Sequence, residues 1–270
     1  MIIFSERING MYRDVRQAIN EKDKKIVQDL VREQVAGGAD VIDINLGPTK
    51  GDAAENFVWL AQTVHEVADK PISLDSAKPD LLVRAVPKVK EVLPDTKLVI
   101  NSCTAAVENM AKLVPLAAQH SAGIIGLTMD QEGVPGNAER RVECGATFLM
   151  TAMEAGIAAE DVYLDPIILP LNVAPKQPWH VLEAIRQLAS VSDPPPHFII
   201  GLSNVSQKCL MNRLINRTYL VMCLVAGLDA VIMDAADKEL VEAGVSAEVL
   251  LEKHLYSDDY LKAWRMQKGI

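Results

Sequence analysis

Short apolar runs recur along the chain, and each gives way to polar residues or glycine at its C-terminal end. They begin near Ile2 (IIFSERIN), Asp40 (DVIDINLG), Pro71 (PISLDSA), Lys97 (KLVINSCT), Gly123 (GIIGLTMD), Val162 (VYLDPIILP), His197 (HFIIGLSNVS) and Asp229 (DAVIMDAA). Within them the apolar residues are continuous rather than alternating, as parallel strands covered on both faces require. The runs lie roughly 25 to 40 residues apart, the length of one strand–helix unit. Eight such units with no break predict an α/β protein, a single TIM-type (β/α)8 barrel rather than an open doubly wound sheet.

The segments between the runs carry helical periodicity. Ile26, Val27, Leu30, Val31 and Val35 form one stripe, with Asp23 placed to cap its start and Gly37 and Gly38 placed to end it. Phe57, Leu60, Ala61, Val64 and Val67 form a second stripe. Leu214, Tyr219, Val221, Met222 and Val225 form a third, ahead of Gly227. A closing helix is expected over Ser246 to Tyr256, and Pro194-Pro195-Pro196 reads as a rigid lead into the seventh strand.

Composition narrows the picture. The chain has 270 residues, 49% of them hydrophobic. Length alone would suggest about two domains, but α/β barrels reach ~250 residues as one, and no linker or low-complexity block divides residues 1–270. The net charge of −9 argues against a nucleic-acid partner, which a basic face would mark. No run approaches the 18 or so apolar residues of a membrane span, and the N-terminus, charged by Glu6, does not read as a signal peptide. Cys103, Cys144, Cys209 and Cys223 contain no CxxC pair, so they read as scattered thiols in a reducing cytoplasm. Cys103 at a strand end and Cys209 in the seventh loop lack the paired spacing of a zinc site, and no bound metal is expected.

In a (β/α)8 barrel the C-terminal strand ends form the catalytic face. The residues collected there are Glu6, Arg7, Asn9, Asp43, Asn45, Asp75, Ser76, Asn101, Ser102, Thr128, Asp165, Ser203, Asn204, Ser206, Gln207 and Asp234. Acids and amides dominate. A carboxylate can accept from a ring N–H and an exocyclic amine together, and an asparagine both donates and accepts. Such a ring suits a neutral heterocycle rich in donors, of which a pterin is one. A phosphate site would want a Gly-rich loop or clustered cations, and neither stands at the later strands. A lone Asp or Asn at a strand end is more often a helix cap or loop hydrogen-bonder, and Asp43 and Asp234 stay open between those roles and a ligand contact. Asp75, Asn101 and Asp165 gain weight from lying at one depth on different strands. Glu6 and Arg7 either pair with each other or face a ligand.

ERING (6–10), DINLGP (43–48), LDSA (74–77), INS (100–102), GLTMD (126–130), LDPIILP (164–170) and GLSNVSQ (201–207) together resemble the methyltetrahydrofolate:corrinoid protein methyltransferase family. That family is related to the folate domain of cobalamin-dependent methionine synthase and to dihydropteroate synthase. The resemblance implies one pterin-binding barrel over 1–270, with methyltetrahydrofolate or tetrahydrofolate as substrate. It implies that Asp75, Asn101 and Asp165 hold the pterin edge, that Asn204 swings in toward N5, and that Gly201, Ser203 and Gln207 support that loop and ring. A family arginine a few residues on falls at Arg213 or Asn212. Asn204 and Asp75 are then the catalytic candidates, and Glu6, Asn9 and Asp43 candidates for contact with the corrinoid or at the rim. A homodimer is usual for the family.

The resemblance also implies a chemical problem. A methyl group on a tertiary amine is a poor electrophile, since the leaving group is amide-like; cobalt(I) supplies the nucleophile, and that chemistry is the cofactor's. The protein must stabilise N5 as charge develops there. No His, Lys or Tyr stands in the later strand-end set, so a network through Asn204, Asp75 and water is expected in place of a dedicated acid. The corrinoid signature DxHxxG is missing at all of His65, His120, His180, His197 and His254, and no Cys cluster could hold an iron–sulfur centre. Cobalamin is therefore expected on a partner protein that docks transiently at the barrel top. The rival readings are another pterin enzyme such as dihydropteroate synthase, and a non-catalytic folate-binding module. Release of pyrophosphate by the former needs cations, whereas Ser203 to Gln207 carries none and Lys208 comes only afterwards.

Overall fold

A computed structural model describes residues 1–253 together with 262 and 265. The elements run β1 (Ile2–Asn9), α1 (Arg13–Glu21), α2 (Lys24–Ala36), β2 (Val41–Asn45), α3 (Ala53–His65), β3 (Ile72–Asp75), α4 (Pro79–Val92), β4 (Leu98–Thr104), α5 (Val107–Gln119), β5 (Gly123–Leu127), α6 (Ala138–Glu154), β6 (Val162–Asp165), α7 (Gln177–Leu188), β7 (His197–Phe198), α8 (Asn212–Ala226), β8 (Ala230–Met233) and α9 (Lys238–Leu250). All eight strands expected from the apolar runs form, and they pair in parallel in the order β7-β6-β5-β4-β3-β2-β1-β8. The two ends of that sheet meet through the bridge between Gly201 and Ile232 and through Ile232 N–H donating to the Ile200 carbonyl at 2.9 Å. This closes a TIM-type (β/α)8 barrel, with a looser seam between β7 and β8 than between any other neighbouring strands described.

Alternation along each strand sorts its side chains into two cores. Ile3, Ile42, Leu74, Ile100, Ile124, Leu164 and Val231 belong to the layer beneath the helices. Phe4, Val41, Val99, Ile125, Tyr163, Ile199 and Ala230 form a separate cluster that fills the barrel. Phe4 meets Tyr163 edge-on at 5.2 Å, and Tyr163 stacks on His197 at 4.8 Å, so the barrel is plugged at its N-terminal end. His197 Nδ1 lies 2.7 Å from Asp229 there. Gly126 lets α6 approach β5 closely: a Cβ at that position would lie 2.3 Å from the Phe148 ring.

The helices refine the sequence expectations. Asp23 caps α2 by accepting from Lys25 N–H, as expected, but Gly38 (φ 102°) rather than Gly37 takes the left-handed turn. The buried face of α2 is Val27, Val31 and Gln34, while Ile26 points to solvent, because Gln34 is drawn inward to Asp234 and the Ala235 N–H. The α3 stripe Phe57, Leu60, Ala61 and Val64 is buried as read. In α8 the buried face is Tyr219, Leu220, Cys223 and Leu224, and Leu214, Met222 and Val225 are exposed. That helix is apolar on more than its core face, so its apolar content misleads about which side packs. Gly227 ends it at φ 114°. The closing helix begins earlier than Ser246, at Lys238 behind the Asp237 cap, and ends at Leu250. Residues 254–256 of that expected helix lie outside the described residues. Among the described residues no helix is long and apolar enough to cross a membrane.

Candidate active site

On β1, β2, β4 and β6 the same inward alternation delivers polar side chains two residues beyond the barrel-filling cluster, whereas β5 and β8 carry Leu127 and Ile232 at that step. Val41 leads to Asp43 and Asn45, Val99 to Asn101, Tyr163 to Asp165, and Phe4 to Glu6. Register makes the set a ring segment: Asn45 pairs with Asp75, and Asp75 pairs with Asn101, on consecutive strands. Asp75 and Asn101 are thus level in register, and Asp165 stands two residues beyond Tyr163 as Asn101 stands two beyond Val99.

Asn45 Nδ2 donates to Asp75 Oδ2 at 2.7 Å, and Asn101 Nδ2 donates to Asp43 Oδ1 at 3.0 Å. Asn45 Oδ1 accepts from Gly47 N–H at 2.7 Å, which fixes the amide so that its donor end faces Asp75. Asp165 Oδ1 accepts from Ile167 N–H at 2.7 Å. Burial lifts all the acids above the ordinary carboxylate range: Glu6, Asp75, Asp43 well above it, and Asp165 to about 7. The neighbouring Asp75 charge lifts Asp43 further. Opposing this, the Asn45 amide favours ionised Asp75, and Ile167 N–H and then the Arg141 charge favour ionised Asp165. Buried carboxyls with few compensating donors are poised to gain from a ligand that brings N–H groups.

The seventh strand end supplies the overhang. Ser203 and Asn204 lie on a single 3-10 turn, Leu202–Asn204. Ser203 Oγ donates to Glu6 Oε1 at 2.6 Å, so the turn is tied across the seam to β1. Asn204 is exposed, and its Nδ2 sits 2.9 Å from where a Cβ on Gly201 would stand; glycine there lets the amide fold over the strand end. Gln207 is exposed, and its N–H reaches the Asn204 carbonyl at 3.3 Å. Beside the ring, a cavity of about 340 Å³ opens toward the second and third loops, lined by Asn45, Gly47, Phe57, Asp75, Ser76 and Leu81 among others.

Other expected positions fall elsewhere. Asp43, a candidate for the rim, is 4% exposed and lies inside the barrel against Asn101; alternation turns it inward one step below Asn45. Asn9 is at the rim, where its Oδ1 accepts from Met11 N–H and shapes the first loop. Glu6 binds Ser203 and does not pair with Arg7, which stacks over Tyr12 at 4.5 Å and pairs with Asp14. Arg213 lies in the first turn of α8 and lines a separate polar cavity of about 400 Å³ with Glu33, Asp234 and Asp237. Asn212 Oδ1 accepts the Arg213 N–H at 2.7 Å. Asp234 serves its own loop through Ala236 N–H and Gln34. Thr128 is buried toward α6, not toward the mouth: its Cγ2 lies 3.3 Å from where a Cβ on Gly145 would stand. Asn45, to which the sequence alone assigns no role, proves to orient Asp75; its matching depth beside Asp75 is the signal that could have found it. Gly10 holds the first loop against the second, since a Cβ there would lie 1.8 Å from the Leu46 carbonyl oxygen.

A family model described as pterin binding enzyme matches residues 13–234. The methylcorrinoid:tetrahydrofolate methyltransferase of Eubacterium limosum is 27% identical over 99% of this chain and 97% of its own length. The methionine synthase of Mycobacterium tuberculosis is 23% identical over 87% of this chain, which spans only 20% of that relative. Among solved structures, the dihydropteroate synthase of Yersinia pestis superposes with a TM-score of 0.65 at 16% identity, covering 93% of each chain. The dihydropteroate synthase of Thermus thermophilus in complex with 6HMPPP gives 0.61 at 16% identity, over 93% of this chain and 94% of that one. At those identities the structures speak for the fold alone.

Proposed function

The chain belongs to the family of pterin binding enzymes, and from that premise we propose that it is a methyltransferase moving a methyl group between N5-methyltetrahydrofolate and the cobalt of a corrinoid protein. The observation that carries this reading is the inward set Asp75, Asn101 and Asp165, closed below by Phe4 and Tyr163 and overhung by the Asn204 amide. Similarity to the methylcorrinoid:tetrahydrofolate methyltransferase over nearly the full length of both chains supports it.

In this reading the carboxylates of Asp75 and Asp165 accept from the pterin N–H and amine, and Asn101, steadied by Asp43, completes the edge. Asn204 donates toward N5. When the methyl carbon leaves N5, the bonding pair stays on nitrogen, and a donor that strengthens with that charge lowers the barrier. A corrin bound by the partner supplies the cobalt that takes the methyl group. The same residues serve transfer in either direction. The mouth is bordered by exposed apolar side chains, Met11, Val173, Leu210 and Met211, which supports transient docking of a protein there. A cytoplasmic homodimer completes the proposal. Against the synthase reading, Ser203 to Gln207 holds no cation to draw off pyrophosphate.

The test is to mix the protein anaerobically with methyltetrahydrofolate and cob(I)alamin and follow methylcobalamin by absorbance. Turnover is expected, with Asn204→Ala and Asp75→Ala each slower by ten-fold or more, about 1.4 kcal/mol in barrier. Folate binding without any methylation of cobalt would overturn the methyltransferase reading.

A further inference from the structure

The largest fully buried side chain described is charged. Arg141, on α6, is 0% exposed. Its Nε donates to the Pro166 carbonyl at 2.6 Å, Nη1 to the Asn137 carbonyl at 2.8 Å, and Nη2 to the Ile167 carbonyl at 3.4 Å and to Gln177 Oε1. Among the described residues no carboxylate touches it, although a guanidinium keeps its charge at any ordinary pH and burying one unpaired is costly. Two of its four acceptors are the carbonyls immediately after Asp165.

That segment is strained. Ile167 has φ 58°, in the left-handed region that a β-branched residue rarely enters. The unusual turn has a visible product: it points the Ile167 N–H back at Asp165 Oδ1, while its carbonyl and that of Pro166 face Arg141. We propose that Arg141 is a positioning residue for Asp165, clamping the Pro166 and Ile167 carbonyls so that Ile167 N–H fixes Asp165 Oδ1 and leaves Oδ2 free for the pterin. The proposal rests on the reading of Asp165 as a pterin ligand. The buried guanidinium also supplies the counter-charge that helps Asp165 ionise when the ligand binds. The groups facing this unit are Arg141 from α6 and Tyr219 from α8, whose hydroxyl donates to the Pro178 carbonyl at 3.1 Å, with Cys223 beside Tyr219.

The experiment measures tetrahydrofolate Kd by calorimetry from pH 6 to 9 for wild type, Arg141→Met, Arg141→Lys, Asp165→Asn and the Arg141→Met/Asp165→Asn pair, with melting curves alongside. Arg141→Met is expected to weaken binding at pH 7.5 by ten-fold or more and to move the midpoint of the pH profile upward. Arg141→Lys keeps the charge but cannot span the same acceptors, and is expected to lose about three-fold or more. In the Asp165→Asn background, Arg141→Met is expected to add little further loss. Unchanged Kd and midpoint in whichever Arg141 variant folds, or an equal loss with and without the Asp165 carboxyl, would overturn the clamp while leaving Asp165 as a ligand. Wild-type affinity in Asp165→Asn would overturn the ligand reading itself, and the clamp with it.

Discussion

Replacing Asp165 with asparagine isolates the electrostatics of the pterin edge. The Asp165 carboxyl stands at about 7 because burial outweighs the help of Ile167 N–H and Arg141. Only the ionised form accepts two N–H groups, so folate affinity is complete above that value and is lost as pH falls through it. For this group alone, affinity at pH 5.5 should be about 30-fold below that at pH 8, about 2 kcal/mol at 1.36 kcal/mol per pH unit. Asp75 and Asp43, also raised, add to the slope. Asp165→Asn removes one proton from that dependence. It also turns an amide donor toward the ligand's donors, which should cost about 1.5–3 kcal/mol at pH 8, roughly 10- to 150-fold in Kd. Stability runs the other way. A carboxyl raised from 3.8 to about 7 penalises the folded state above 7, by at most about 4 kcal/mol, and not at all below 3.8. The ligand-free variant should therefore melt higher than wild type at pH 8, and the gap should close on acidification. Calorimetric titration with methyltetrahydrofolate from pH 5.5 to 8, with melting curves, reads both. Equal pH slopes for variant and wild type, or a variant that binds equally well at pH 8, would refute the reasoning.

Thiol reactivity follows burial. Cys103 and Cys223 are pushed up to about 12 and Cys144 is raised, whereas Cys209 sits partly open in the seventh loop. Iodoacetamide at pH 7.5, read by peptide mass mapping of the native protein, should label Cys209 well ahead of the other three. Gly126→Ala drives a methyl group into the Phe148 ring, which is 0% exposed. Overpacking of this kind costs about 1–3 kcal/mol, so the melting temperature should drop by several degrees.

Strand number, strand order along the chain and the identity of the polar strand ends are all readable in the apolar runs, because parallel buried strands tolerate little else. Asp75, Asn101 and Asp165 can be grouped from sequence since equal offsets from equal runs mean equal depth. Pairing across strands is not readable in this way. Asp43 and Asp75 look alike in DINLG and LDSA and both point inward; only the register, which pairs Asp43 with Ser73 and Asn45 with Asp75, sets the first one step deeper than the second. The packed face of α8 is hidden in the sequence because its second half, Tyr219 to Ala226, is apolar all round. Arg141, in a polar-looking ERRVE stretch, carries no local sign that it is buried; the carbonyls of Pro166 and Ile167 that receive it lie more than 20 residues downstream, which composition cannot report.

The weak seam between β7 and β8 sits directly under the Asn204 turn. Elsewhere, shifting a strand end would break a run of ladder hydrogen bonds. Here the ties are a bridge, the Ile232 N–H bond to the Ile200 carbonyl, a longer one from Asp229 N–H to the Phe198 carbonyl at 3.4 Å, the Asp229 carboxylate's contacts with Phe198 N–H and His197 at the lower end, and the Ser203–Glu6 contact at the upper end. The barrel thus has a built-in expansion joint. Substrate handling can flex the one wall that carries the Asn204 amide, while the three strands that present Asp75, Asn101 and Asp165 stay in register. Amide hydrogen exchange should therefore be fastest, among the strand ends, at residues 200–204 and 232–234, and should slow most there when folate binds.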